Sequence, residues 1–70
     1  MKYSIYFTPK SLRQIEKLDY YTQQKILYTL SKASLREETR CEEVIAGFRV
    51  NYYLDKKRRN LTVFNLQTGI

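Results

Sequence analysis

Histidine and tryptophan are missing from these 70 residues, and cysteine, proline and methionine occur once each. With no His and only Cys41, the chain cannot assemble a Cys/His zinc site or an intramolecular disulfide. A lone thiol suits a reducing compartment, so the expected location is cytoplasmic. Nucleophile–His pairs and His-based general acid/base chemistry are excluded as well. Long apolar runs are also missing. The longest, Val44-Ile45-Ala46-Gly47-Phe48, falls far short of the ~20 residues that span a bilayer. Residues 1–14 contain no apolar segment of the signal-peptide kind, so neither membrane insertion nor export is expected. Carboxylates are few: the seven Asp and Glu include no convincing pair at ligand spacing, so no metal and no other cofactor is expected.

Basic residues, by contrast, are plentiful. Thirteen Lys and Arg give a net charge of +6, which favours polyanionic partners such as nucleic acid or an acidic protein. With 43% hydrophobic and 29% charged residues, the chain has the composition of a folded domain. Residues 1–70 show no repeat, linker or composition shift, which predicts a single small domain with a modest core.

Tyr3, Ile5 and Phe7 alternate with Ser4 and Tyr6, predicting a short strand with one buried face. Thr8 then suits a helix N-cap and Pro9 the first helical position. Leu12, Ile15 and Leu18 make one apolar stripe on this basic helix. Thr22 is a candidate cap for a second helix carrying Ile26, Leu27, Leu30 and Ala33, the two forming a helical hairpin. Leu35 to Glu43 reads as an irregular charged loop. Beyond it, Phe48, Val50, Tyr52 and Leu54 alternate with Arg49, Asn51 and Tyr53, a period of two. Asp55 to Asn60 is a polar turn, and Leu61 to Leu66 is a second strand, apolar on both faces. The order predicts an α+β fold: an N-terminal strand, an antiparallel helical hairpin, then C-terminal antiparallel strands, with the helices on one sheet face. If Phe48, Val50 and Tyr52 face the helices, then Arg49, Asn51 and Tyr53 line the open face at intervals of roughly 7 Å.

Three pieces of the chain resemble the RelE/ParE superfamily of bacterial and archaeal toxins from type II toxin–antitoxin modules. They are Tyr3-Ser4-Ile5-Tyr6-Phe7 with the helix ending Lys17-Leu18, the segment Gln24-Lys25-Ile26-Leu27 with Leu30, and Gly47-Phe48-Arg49-Val50-Asn51-Tyr52. The turn and Leu61-Thr62-Val63-Phe64 match the strand that follows, so the resemblance runs along nearly the whole chain. It implies a basic concave face and an acidic or amphipathic cognate antitoxin that wraps the toxin. In the RelE-like branch that face cleaves mRNA at the ribosome, and in the ParE-like branch the same fold inhibits DNA gyrase without cleaving RNA.

Arg49 occupies the Arg of the family motif, and a guanidinium offers forked donors to a phosphate or its developing charge. Tyr53 is the second catalytic candidate, as proton donor or as a surface for base stacking. Asn51 and the run Lys56-Lys57-Arg58-Arg59 are the nucleic-acid-binding candidates. With no His, Tyr or Lys must move the proton, and a pKa near 10 must fall by about 3 to serve at neutral pH. The ribonuclease branch carries Lys or Arg before the motif, where this chain has the acidic Glu42-Glu43-Val44-Ile45-Ala46. It also carries a basic residue and a Tyr or His after the last strand, where this chain has Thr68-Gly69-Ile70. Two readings follow: a RelE-like mRNA interferase with weak or lost catalysis, or a non-enzymatic ParE-like gyrase inhibitor or degenerate toxin that only binds. A basic nucleic-acid-binding domain unrelated to toxins is the third.

Overall fold

A computed structural model describes residues 3–33 and 39–68. The elements run β1 (Ser4–Phe7), α1 (Pro9–Glu16), α2 (Tyr20–Leu30), β2 (Arg40–Ile45), β3 (Phe48–Asp55) and β4 (Asn60–Thr68). Thr8 caps α1 as its sequence predicts, its hydroxyl accepting from the Ser11 N–H, with Pro9 in the first turn. The cap of α2 is Asp19, not Thr22. Thr22 instead donates its hydroxyl to the Asp19 carboxylate, which lowers the Asp19 pKa from its ordinary value. The Gln23 amide closes the end of α1 by donating to the carbonyls of Ile15 and Leu18 at 3.1 and 2.9 Å.

Both helices pack on one face of a four-stranded sheet of order β1-β4-β3-β2. The sheet is mixed: its C-terminal strands are antiparallel as expected, and the N-terminal strand departs from that direction. β1 runs parallel to β4, whereas β2–β3 and β3–β4 are antiparallel. Between β1 and β4 the chain passes through both helices and a hairpin, enough length for a parallel return. The supposed irregular stretch before Val44 is corrected, because Arg40 to Glu43 belong to β2. The part of that stretch at 34–38 lies outside the described residues. β2 and β3 join through Ala46 and Gly47, both at positive φ (53° and 83°), the backbone of a two-residue hairpin whose twist matches its strands.

The core lies between helices and sheet. Ile26 and Leu30 of α2 meet Val50, Tyr52, Leu61 and Val63, each at most 1% exposed. The α1 stripe departs from the apolar pattern: Ser11 is fully buried while Leu12 is 44% exposed. A hydroxyl is tolerated there because Ser11 donates to the Val63 carbonyl at 2.6 Å. Gln14, one turn on, accepts from the Leu66 N–H at 2.8 Å. These contacts flank a β-bulge. Asn51 pairs with Asn65, but Tyr52 pairs with Val63, so Phe64 is the extra residue of β4. The bulge explains why β4 looked apolar on both faces: Leu61 and Val63 point inward before it and Leu66 after it.

Candidate functional site

The face of the sheet turned away from the helices carries the side chains that β2 and β3 alternate outward. On β3, Val50, Tyr52 and Leu54 are buried, which leaves Arg49, Asn51 and Tyr53 on the other side. β2 contributes Arg40, Glu42 and Val44 to this face, opposite Tyr53, Asn51 and Arg49 respectively. The guanidinium candidate is therefore on the helix-free side, and its side chain is 43% exposed.

Arg49 has a near neighbour of opposite charge. Its Nε lies 3.8 Å from Glu42 Oε1, inside ion-pair range but outside hydrogen-bond range. That Nε is shielded from solvent and makes no hydrogen bond to any described residue. A buried donor without an acceptor is uncommon in folded proteins. Glu42 is held elsewhere: its Oε2 accepts from Asn51 Nδ2 at 2.9 Å. Asn51 Oδ1 in turn faces Asn65 Nδ2 at 3.5 Å, at the limit of hydrogen bonding. A row of carboxylate and two amides thus crosses three strands beside the guanidinium.

The two catalytic candidates do not share one centre. Arg49 and Tyr53 lie four positions apart on β3, about 14 Å of strand at ~3.4 Å per residue. The Tyr53 ring is stacked on Phe64, with centroids 4.5 Å apart, rather than turned toward Arg49. Asn51 sits between them, bonded to Glu42. Lys56, Lys57, Arg58 and Arg59 are all exposed at the β3–β4 tip, which begins three positions beyond Tyr53, at the far end of the face from Arg49. Asp55 orders this tip by accepting from the Arg58 N–H at 3.1 Å.

Reading the residues alone overlooked Arg40, Glu42, Phe64 and Asn65 as members of this face. The signal for the first two was present: in Arg40 to Ile45, Cys41 and Ile45 alternate with Arg40, Glu42 and Val44. Three charges within 40–43, Arg40, Glu42 and Glu43, hid it. Phe64 and Asn65 share a face only because of the bulge, which no periodicity reveals. A hollow of about 240 Å³ between Thr29, Lys32, Ala33 and Glu43 lies on the helix side, apart from Arg49. No group of three or more His, Cys, Asp or Glu among the described residues is placed to hold a metal ion. Among the described residues, no helix is long and apolar enough to cross a membrane.

No protein-family model and no curated protein matches the sequence. Solved structures do match it. The RelBE2 toxin–antitoxin complex of Mycobacterium tuberculosis is similar with a TM-score of 0.74 and 18% identity, covering 97% of this chain and 99% of that one. The archaeal RelE–RelB complex of Pyrococcus horikoshii gives 0.69 and 13%, covering 99% and 97%. An arginine-to-alanine mutant of the E. coli toxin RelE in the free state gives 0.68 and 15%, covering 97% and 84%. Likeness at such identities is a likeness of backbone architecture. This chain has the fold of the RelE toxins, and Arg49 stands on the face of its sheet turned away from the helices.

Proposed function

We propose that this protein is the toxin of a type II toxin–antitoxin module, that it is held in check by a cognate antitoxin, and that it acts on messenger RNA at the ribosome. The observation that carries the reading is the position of Arg49. It stands on the open face of a RelE-like sheet, with a solvent-shielded N–H that has no hydrogen-bond acceptor among the described residues. The structures it resembles include two solved as toxin–antitoxin complexes, which supports an antitoxin partner.

In this reading Arg49 binds the scissile phosphate and stabilises the charge that builds on it during attack by the 2′-hydroxyl. Glu42, 3.8 Å from the guanidinium and itself held by Asn51, competes weakly with that phosphate for Arg49. The exposed tip Lys56–Arg59 adds phosphate contacts, which suits a site completed by ribosomal RNA.

The separation of Arg49 from Tyr53 favours one alternative: a binder without cleavage, acting on DNA gyrase or on nucleic acid. Induced expression with mapping of total RNA decides between them. Growth arrest with cuts confined to translated messages is the expected result. Arrest with intact RNA and damaged DNA sinks the ribonuclease reading and selects the gyrase one. Arg49→Ala should fold normally, because the side chain is outside the core, and should reduce cleavage by about 10²–10³-fold. An Arg49→Ala protein as toxic as the native one removes the assignment.

A further inference from the structure

The bare face holds one aromatic assembly that phosphate binding leaves unused. Tyr53 of β3 and Phe64 of β4 stack with centroids 4.5 Å apart and planes 26° from parallel. Arg40, directly opposite Tyr53 on β2, places its guanidinium carbon 5.9 Å from the Tyr53 centroid and 5.6 Å from that of Phe64. Tyr53 remains 46% exposed. The bulge sets Phe64 and Asn65 side by side, so Asn65 reaches Asn51 next to the ring pair. Two stacked rings, a cation and two amides are thus fixed on three paired strands, not on a mobile loop.

The geometry points to a platform on which a nucleobase of single-stranded RNA stacks, made by Tyr53, Phe64 and Arg40. The inference rests on the RNA-directed function proposed above and gives Tyr53 a role through its ring instead of its hydroxyl. Every base has a π-face, and aromatic rings beside basic residues are how sheets hold single strands without reading sequence. The charges favour this occupant over a protein segment. Arg49 lies at one end of the face, and Arg40 with the Lys56–Arg59 tip lies at the other, so a phosphate chain meets cations on both sides of the stacked base. Asn51 and Asn65 present amides beside the rings, where a base edge would lie. The Tyr53–Asn51–Arg49 spacing, roughly 7 Å per step, lets one base stack while a neighbouring phosphate reaches Arg49.

The test uses the full-length native protein and a fluorescein-labelled, uncleavable 2′-O-methyl oligoribonucleotide, read by anisotropy over a range of salt. Tyr53→Leu should weaken binding about tenfold and leave the salt slope unchanged, since a ring and not a charge is lost. Tyr53→Phe should bind like the native chain. Equal loss in Tyr53→Phe and Tyr53→Leu overturns the platform, because the hydroxyl would then be the contact. Native-like binding by Tyr53→Leu overturns it too. If Tyr53→Leu fails to fold, the native protein still answers: RNA should shift the Tyr53 and Phe64 ring protons upfield, and unmoved ring signals at saturation overturn the proposal. Capture of an acidic peptide with no binding to the oligonucleotide overturns it in favour of a protein partner. Message cleavage in cells is a separate readout, so loss of the platform and loss of the ribonuclease reading are told apart.

Discussion

At the scale of single residues the open question is what Glu42 does to Arg49. The two are 3.8 Å apart with side chains 57% and 43% exposed, a pairing worth at most about 1 kcal/mol once solvent screening is counted. So weak a contact cannot lock the guanidinium, yet it competes with any phosphate for the same charge. The carboxylate is also positioned by Asn51, which donates to its other oxygen at 2.9 Å. Glu42→Gln keeps an acceptor for Asn51 and removes the negative charge. RNA affinity, measured with an uncleavable oligonucleotide, should therefore rise by up to about fivefold, the equivalent of that ~1 kcal/mol. Weaker binding by Glu42→Gln would mean that the carboxylate itself holds the ligand, and the competition argument would fall.

At the scale of elements, the bulge in β4 is where local sequence and tertiary structure part company. Strand periodicity in β3 was plain, and the outward set Arg49, Asn51 and Tyr53 follows from it directly. The N-cap Thr8 and the partner-facing Ile26 and Leu30 were equally legible. Phe64 and Asn65 were not, because their shared face depends on α1, far away in sequence. Gln14 accepts from the Leu66 N–H, and Ser11 and the Thr8 N–H both donate to the Val63 carbonyl. The parallel pairing of β1 with β4 was illegible for a related reason: strand direction is set by the path of the whole chain. Gln14→Ala leaves the Leu66 N–H without its acceptor in a residue only 4% exposed, costing about 1–3 kcal/mol. In a domain of this size each kcal/mol lowers Tm by about 4–8 °C. Gln14→Glu retains a side-chain oxygen and should lose less, whereas Gln24→Ala on the exposed side of α2 should leave Tm nearly unchanged. Equal melting of Gln14→Ala and native protein would show that α1 does not hold the bulge.

For the molecule as a whole, the division of labour is between a covered and an uncovered side of one sheet. The helices bury the side bearing Val50, Tyr52 and Leu54, and all the stability a small core provides comes from there. The other side is free to carry charge and aromatic surface without weakening the fold. Most of the +6 charge is on solvent-exposed residues, and its densest run, Lys56 to Arg59, projects from the sheet end beside Tyr53. If that tip tracks a single-stranded phosphate chain, its contribution is counterion release. Each phosphate contact then adds about −0.7 to the slope of log affinity against log salt. A variant with all four tip residues changed to Gln should therefore flatten the slope by roughly 3 if every one contacts a phosphate. Its Tm should stay close to the native value, since none of the four is buried and the turn retains Asp55. An unchanged slope would make the tip a solvated guard against strand-to-strand aggregation, and phosphate recognition would then fall to Arg49 and Arg40.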